Sequence, residues 1–388
     1  MTAGAAHAEK KYGPGVSDTE VKIGQTMPYS GPASAYGAVG LAEIAYYKMI
    51  NEQGGVNGRK ITLLSLDDGY SPPKTVEQTR KLVEDDQVLA IVGALGTAAN
   101  TAIQKYLNVK SVPQIFISTG ATKWADPQHF PWTMGWQPNY QTEGKIDAKY
   151  ALQNVAAPKI AILYQNDDYG KDYVEGFKKG LGDKVNLIVK EVSYEVTDPT
   201  VDSQIVTLQG SGANVFFNVT TPKFAAQSIR RVYDIGWKPL HLLNNVGASI
   251  GSVLKPAGFE KSIGIITVAY QKSVADPTWD NDKGMQDYLA FMKKYMPQAD
   301  PTDGSYGSGY NIAMNFSLLL KQCGDDLTRE NLMRQMANMH DIELPMLLPG
   351  IKVNTSPTNF SPIQQEQLAR FDGKSFVRFG EVLSAGGI

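Results

Sequence analysis

Cysteine is nearly absent. Cys323 is the single cysteine of the 388-residue chain, so no disulfide can close within it. With four scattered histidines, no zinc-ligand spacing exists either. Cys323 ends the apolar helical run Ser317-Leu-Leu-Leu-Lys-Gln-Cys323, the setting of a buried thiol. Long hydrophobic runs are missing too: no stretch approaches the ~20 apolar residues of a membrane span. The opening Met1-Thr-Ala-Gly-Ala-Ala-His-Ala8 lacks the apolar segment of an export signal, but Ala6-His7-Ala8 carries the small-x-small pattern favoured by signal peptidases. The expectation is a periplasmic chain whose signal peptide is not part of this sequence. Neither sign of charge dominates: 37 basic and 39 acidic residues give a net charge of -2. That balance offers no electrostatic footprint for nucleic acid and no polybasic patch for a membrane surface. Enzyme signatures are also missing. There is no Walker A pattern, no Gly-x-Ser-x-Gly elbow and no His-Glu-x-x-His, and Gly31-Pro-Ala-Ser-Ala-Tyr-Gly37 is too widely spaced for a dinucleotide turn.

What is present is a strand–helix alternation long enough for two domains. Val21–Met27, Lys60–Leu66, Val88–Val92 and Pro113–Ile117 read as strands. Between them lie helices: one with Leu41, Ile44, Ala45 and Met49 at helical spacing, then Pro73–Asp85 and Ala98–Leu107. A second series begins near Tyr140, with strands Lys159–Tyr164, Leu187–Ser193, Asn214–Val219, His241–Leu243 and Ile263–Val268. Its helices are Tyr169–Leu181, one opened by Asp198-Pro199 as N-cap and N1 proline, and Pro222–Ile235. Such alternation implies parallel sheets flanked by helices with right-handed crossovers. The last third brings helices Trp279–Tyr295, Tyr310–Cys323 and a Thr328-capped Thr328–Met339, then short strands Ile351–Asn354, Glu366–Phe371 and Ser375–Phe379. These helices need a sheet, and the first series is the natural host. The chain is therefore expected to cross between domains near Asn139, Gln271 and Pro345. Residues 18–139 plus 272–345 form one domain, and 140–271 plus 346–388 the other.

Ligands of open parallel sheets bind beyond the carboxyl ends of the strands. In the first series those turns are Pro28–Gly37, Gly93–Asn100 and Ser118–Thr122, and none contains His, Cys, Asp, Glu, Lys or Arg. Acid–base and nucleophilic catalysis need a titratable group beside the reacting bond, so these turns argue for binding rather than for an enzyme. Gly93-Ala-Leu-Gly-Thr97 opens a helix, where free N–H groups and the Thr97 hydroxyl make an anion site of neutral donors. Ala94 and Gly96 belong to that turn. Ser118-Thr119-Gly120 offers the same inventory, and a third turn carries Tyr29, Ser30 and Tyr36. The second series contributes Tyr169, Thr220, Asn245 and Val246. Asp67-Asp68 and Asp167-Asp168 read as turn and helix-start carboxylates.

At these turns the sequence resembles the solute-binding proteins of branched-chain amino-acid type ABC transporters, the type I periplasmic binding proteins. The matching pieces are Ile23-Gly-Gln-Thr-Met-Pro-Tyr-Ser-Gly-Pro32, Asn51-Glu-Gln-Gly-Gly-Val-Asn-Gly-Arg59, Val92-Gly-Ala-Leu-Gly-Thr97, Asp167-Asp-Tyr-Gly170 and Leu368-Ala-Arg-Phe-Asp-Gly373. The resemblance implies an α/β fold of two Rossmann-like domains joined by a three-strand hinge around a ligand cleft. It also implies hand-over to the membrane permease of an ABC importer. In amino-acid binders of this family the turns matching Gly93–Thr97 and Ser118–Thr122 hold the carboxylate and amine. A tyrosine matching Tyr169 lines the second wall, and an aromatic near Tyr36 covers the side chain. Those proteins also place a glutamate on the second domain against the ligand ammonium, at a position matching Asn245 or Val246. Here no acidic residue occurs between His241 and Leu254. A desolvated ammonium without a carboxylate partner costs several kcal/mol. The expected ligand is thus a carboxylate without an amine, with Tyr29, Tyr36 and Tyr169 suiting an aromatic or apolar body. The alternatives are a receptor for hydrophobic or branched-chain amino acids or amides, and a ligand sensor on the same fold. No cofactor, metal or nucleic acid is expected, and the chain is expected to be a monomer.

Overall fold

The computed structural model describes residues 10–384, so the Ala6-His7-Ala8 pattern lies outside the described residues. A two-residue strand β1 (Lys11–Tyr12) precedes the first series: β2 (Glu20–Met27), α1 (Gly37–Glu52), β3 (Lys60–Asp67), α2 (Pro72–Arg80), β4 (Ile91–Val92), α3 (Thr97–Val109), β5 (Gln114–Ile117) and β6 (Thr133–Gly135). The second series is α4 (Tyr140–Asn154), β7 (Ile160–Gln165), α5 (Asp168–Leu181), β8 (Ile188–Tyr194), α6 (Asp202–Gly210), β9 (Val215–Val219), α7 (Pro222–Asp234), β10 (Leu240–Leu243), the short α8 (Lys255–Ala257) and α9 (Phe259–Ser262), and β11 (Ile266–Ala269). The chain ends with α10 (Lys283–Tyr295), α11 (Gly304–Cys323), β12 (Asp326–Leu327), α12 (Arg329–Met336), β13 (Gln365–Phe371) and β14 (Phe376–Ser384).

Two sheets result. One has five parallel strands in the order β3-β2-β4-β5-β6. The other has seven, in the order β14-β13-β11-β10-β9-β7-β8. Its β7 to β11 strands pair in parallel, and β13 and β14 add an antiparallel edge. The central strands read as unbroken apolar runs because helices cover both faces; every residue of β5 and β9 is buried. Each sheet has its own core. Ile23, Val92, Ile115 and Phe316 share one, and Ile162, Phe177, Phe217 and Ile266 another.

The final helices pack with the five-stranded sheet: Tyr288, Phe291, Tyr310 and Phe316 join its core. Tyr46 of α1 meets Tyr310 of α11 edge-on, with ring centroids 5.2 Å apart. Gly309 brings α11 against the backbone of α1, where a Cβ would stand 2.1 Å from the Val39 carbonyl oxygen. This packing corrects the expected inner face of α1. It buries Val39, Ala42, Tyr46 and Tyr47, while Leu41 and Ile44 are exposed. Cys323 is buried in the same core, and burial pushes its thiol up to about 12.

The crossings also differ in detail from expectation. The chain leaves the five-stranded sheet after β6 and enters the second core with Tyr140. It returns after β11, and Tyr270 already belongs to the first core. The switch expected near Pro345 comes later. Met346, Leu348, Val353, Phe360 and Ile363 pack in the first core, and only β13 rejoins the second sheet. The second crossing segment pairs with the chain there, since Leu348 N–H donates to Tyr270 O and Lys272 N–H to Met346 O. Ile351–Asn354 accordingly forms no sheet strand and makes one bridge, Ile342 to Val353. Asp198 caps no helix: its carboxylate accepts the Glu195 N–H in a turn, and α6 starts at Asp202. Thr328 does cap α12, accepting from Asn331 N–H. Among the described residues no helix is long and apolar enough to cross a membrane.

Candidate functional site

The carboxyl ends of the parallel strands of both sheets border one cleft, the position that strand-to-helix turns reserve for ligands. The cleft holds about 1300 Å³ of empty space, its open mouth included, and is lined by residues of both domains.

The turn after β4 builds one end. Gly96 has φ +99, and a Cβ there would stand 2.8 Å from the Tyr70 ring, so this position needs glycine. The chain then enters α3 with no side chain capping it, which leaves the first-turn N–H groups free and gives the helix end its positive pole. Thr97 Oγ1 and Thr119 Oγ1 are 2.6 Å apart, both residues buried, and either hydroxyl can donate. Thr119 Oγ1 also accepts the Ala121 N–H at 3.3 Å. Ser118 lies alongside, with its hydroxyl donating to Gly93 O at 3.1 Å. Two strained residues aim these groups: Phe116 at φ +52, just before Ser118, and Tyr70 at φ +60. Non-glycine residues rarely adopt such angles. Asp68 holds Tyr70 there by accepting its N–H at 2.9 Å, so the acidic pair Asp67-Asp68 shapes a turn. Asp67 likewise accepts from the Ser30 and Gly69 N–H groups.

The opposite wall comes from the second domain. Tyr169 follows the N-cap Asp167, which accepts the Gly170 N–H at 3.1 Å. Its ring stands 5.6 Å from both Tyr140 and Tyr173, edge-on in each case, and Tyr140 stacks on Tyr173 at 4.3 Å. The Tyr169 hydroxyl accepts from Asn244 Nδ2 at 2.7 Å. Asn245 is fixed twice: its N–H donates to Glu143 Oε1 at 2.6 Å, and its Nδ2 to Val268 O at 2.6 Å. The two domains touch over the ligand space. Tyr36 OH donates to Val246 O at 2.9 Å, Ser249 Oγ to Asp303 Oδ1 at 3.0 Å, and Gly251 N–H to Thr302 O at 3.2 Å.

Of the residues expected to bind, the cleft brings together Tyr36, Gly96, Thr97 and Ser118 with Thr119, Tyr169, Asn245 and Val246. It leaves out five. Tyr29 turns back under α1, where its hydroxyl bonds Ser65 Oγ at 2.6 Å and Gly40 leaves room for it. Ser30 is spent on Asp67. Ala94 packs in the core behind the turn, its carbonyl taken by Ser118 N–H. Gly120 serves a close backbone approach to Pro138, and its carbonyl accepts the Tyr140 N–H. Thr220 donates inward to Asn218 Oδ1, and its neighbour Thr221 lines the cleft instead. Sequence reasoning missed Tyr70, Tyr140 and a second end of the cleft around Lys272, Trp279 and Arg378. Tyr70 carries a signal, since it stands in the strand-to-helix turn between β3 and α2.

Charge is distributed unevenly along the cleft. Lys272, Asp276 and Arg378 are its charged lining residues among those described, and all stand at the second end. Glu143 is not in the lining. It lies behind Asn245, also accepts from Tyr173 OH at 2.7 Å, and burial pushes its carboxyl up to about 7. One helical turn on, Asp147 is fully buried with no hydrogen-bond partner for either oxygen, and burial with Glu143 nearby raises its pKa well above the usual range. Glu366 of β13 is raised in the same way, by burial and by those two carboxyls.

The chain matches the family model described as "Periplasmic binding protein" over residues 20–375. A Leu/Ile/Val-binding protein homolog 7 from Brucella abortus (strain 2308) is 25% identical over 313 residues, covering 76% of this chain and 73% of the relative. The fold is that of a branched chain amino acid ABC transporter protein from Thermus thermophilus with bound valine (TM-score 0.85, 14% identity, 95% of this chain and 98% of that one). It is likewise that of a solute-binding protein of an ABC transporter from R. palustris in complex with benzoate (TM-score 0.78, 20% identity, 95% and 99%).

The buried carboxyls make stability depend on pH. The folded protein keeps a proton on Asp147 that the unfolded chain releases near its ordinary value of 3.8. Folding therefore takes up a proton, and stability falls as pH rises above that value. Asp147→Asn removes this loss. Its melting-temperature gain over wild type should grow between about pH 5 and pH 8, measured by calorimetry. A gain that is constant with pH, or that shrinks, contradicts the assignment.

Proposed function

The chain belongs to the periplasmic binding protein family, whose members are substrate-binding receptors of ABC transporters, and from this we propose an extracytoplasmic receptor, not an enzyme, for a small aromatic or hydrophobic carboxylate. The observation that carries the reading is the charge-free donor set at Thr97, Thr119 and the uncapped first turn of α3, with no carboxylate among the lining residues at that end. Neutral donors at a helix N-terminus suit a carboxylate. An α-ammonium beside them would lack an ionic partner, because Glu143 is turned toward Asn245 and Tyr173, and an unpaired buried charge costs several kcal/mol. Tyr36, Tyr140 and Tyr169 supply flat apolar walls for the body of the ligand. The benzoate complex of the R. palustris protein accords with this reading. The valine complex and the names of the curated relatives favour the other one, a hydrophobic amino acid.

Binding proceeds by closure. The acid docks on the donors of the first domain, and the second domain then swings over it. The Tyr36–Val246 and Ser249–Asp303 hydrogen bonds exist only when the domains meet, so a ligand that touches both walls shifts the open–closed equilibrium. The closed protein would then present the acid to a membrane permease.

Paired thermal-shift measurements test the ligand class: benzoate and 3-phenylpropionate against phenylalanine and leucine. A ligand that binds only the native state raises the melting midpoint. The acids are expected to raise it and the amino acids to leave it in place; the reverse pattern makes this an amino-acid receptor. Thr97→Ala should weaken binding of the effective acid by about 1–2 kcal/mol, the loss of one charge-assisted hydrogen bond. Unchanged affinity in titration calorimetry removes Thr97 from the contact set.

A further inference from the structure

The carboxylate site accounts for one end of the cleft only. Beyond the second crossing the cleft continues to Lys272, Asp276, Trp279, Phe376 and Arg378. Arg378 projects from β14 of the second domain, and Trp279 belongs to the core of the first. The guanidinium lies 4.5 Å from the centre of the Trp279 ring. Its Nε is buried and has no hydrogen-bond partner. The facing Asp276 Oδ2 is 3.8 Å away, too far for a hydrogen bond, and Asp276 Oδ1 already accepts the Thr278 N–H at 2.9 Å. Lys272 lies 5.3 Å from the same ring and is paired with Asp282 at 2.7 Å. Both cations are thus held on one indole, but Lys272 is hydrogen-bonded to its counter-ion, whereas Arg378 has only a long ion pair with Asp276.

A buried donor with no acceptor is costly. A guanidinium resting on an aromatic face keeps its N–H groups at its edge, in the fork that matches a carboxylate. An apolar tail reaching this end would leave the cation without a hydrogen-bonded counter-ion, whereas a second carboxylate would pair with the part of the guanidinium that lines the cleft. We propose that Arg378, seated on Trp279, recognises a second anionic group, so that the preferred ligand is an elongated acid with a carboxylate at each end and an apolar middle. The proposal rests on the reading above, in which the first carboxylate occupies the Thr97 end.

Titration calorimetry near pH 8, where both carboxylates of a diacid are ionised, tests it. The probes are α,ω-dicarboxylates of increasing length and the monocarboxylates of equal carbon number. In the wild type one chain length should bind about tenfold or more tighter than its monocarboxylate, as one charge-assisted hydrogen bond implies. Arg378→Met should weaken that diacid about tenfold more than the monoacid. Asp276→Asn keeps an acceptor for Thr278 N–H and removes the competing negative charge, so it should tighten diacid binding selectively. The proposal is overturned if no diacid of any length outbinds its monoacid. It is also overturned if Arg378→Met weakens both equally, the signature of a residue that only ties the domains together. Binding of monoacids without any diacid preference defeats this inference and leaves the carboxylate reading standing; failure of every acid to bind defeats both.

Discussion

Thr97 and Thr119 come from different turns, yet their hydroxyls meet at 2.6 Å inside the protein. That contact requires β4 and β5 to lie side by side and in parallel, so that both strands end at the same edge. It requires Gly96 at φ +99 to let α3 begin without a capping side chain, and Phe116 at φ +52 to deliver Ser118 beside it. The result is a cluster of neutral donors with unmet hydrogen-bonding capacity. Such a cluster binds an anion without burying a protein charge that would cost stability when the cleft stands empty.

The facing wall carries its negative charge out of sight. Glu143 fixes Asn245 through a backbone hydrogen bond and is masked by it. Asn245 in turn precedes Val246, whose carbonyl receives the Tyr36 hydroxyl from the other domain. One carboxyl therefore sets the position of the loop that meets Tyr36 across the cleft, at the expense of gathering three acids, Glu143, Asp147 and Glu366, in one buried place. Burial disfavours their charged forms.

Much of this was legible in the sequence, for a physical reason. A turn between a parallel strand and a helix is a local feature, and so is the absence of titratable side chains from it. Thr97, Ser118, Thr119 and Tyr169 could therefore be found without knowing the fold. What failed was side-chain direction within a turn. Tyr29 and Tyr36 share one turn, but Tyr29 folds under α1 because Gly40 offers it space. Thr220 and Thr221 are adjacent, and only the second faces the cleft. The Lys272, Trp279 and Arg378 end had no local signal, since those residues meet only after the chain has crossed between domains three times. The last crossing was placed too early for a similar reason: the apolar residues from Met346 to Ile363 form no regular strand and are held by the first core alone.

The most direct test of the central claim, that neutral donors at the Thr97 end hold the ligand carboxylate, is a crystal structure of the protein with 3-phenylpropionate. The carboxylate oxygens are expected within hydrogen-bond distance of the Thr97 and Thr119 hydroxyls and of the first N–H groups of α3, with the ring against Tyr169. A carboxylate bound instead at Lys272 and Arg378, with no ligand atom near Thr97 and Thr119, would contradict it.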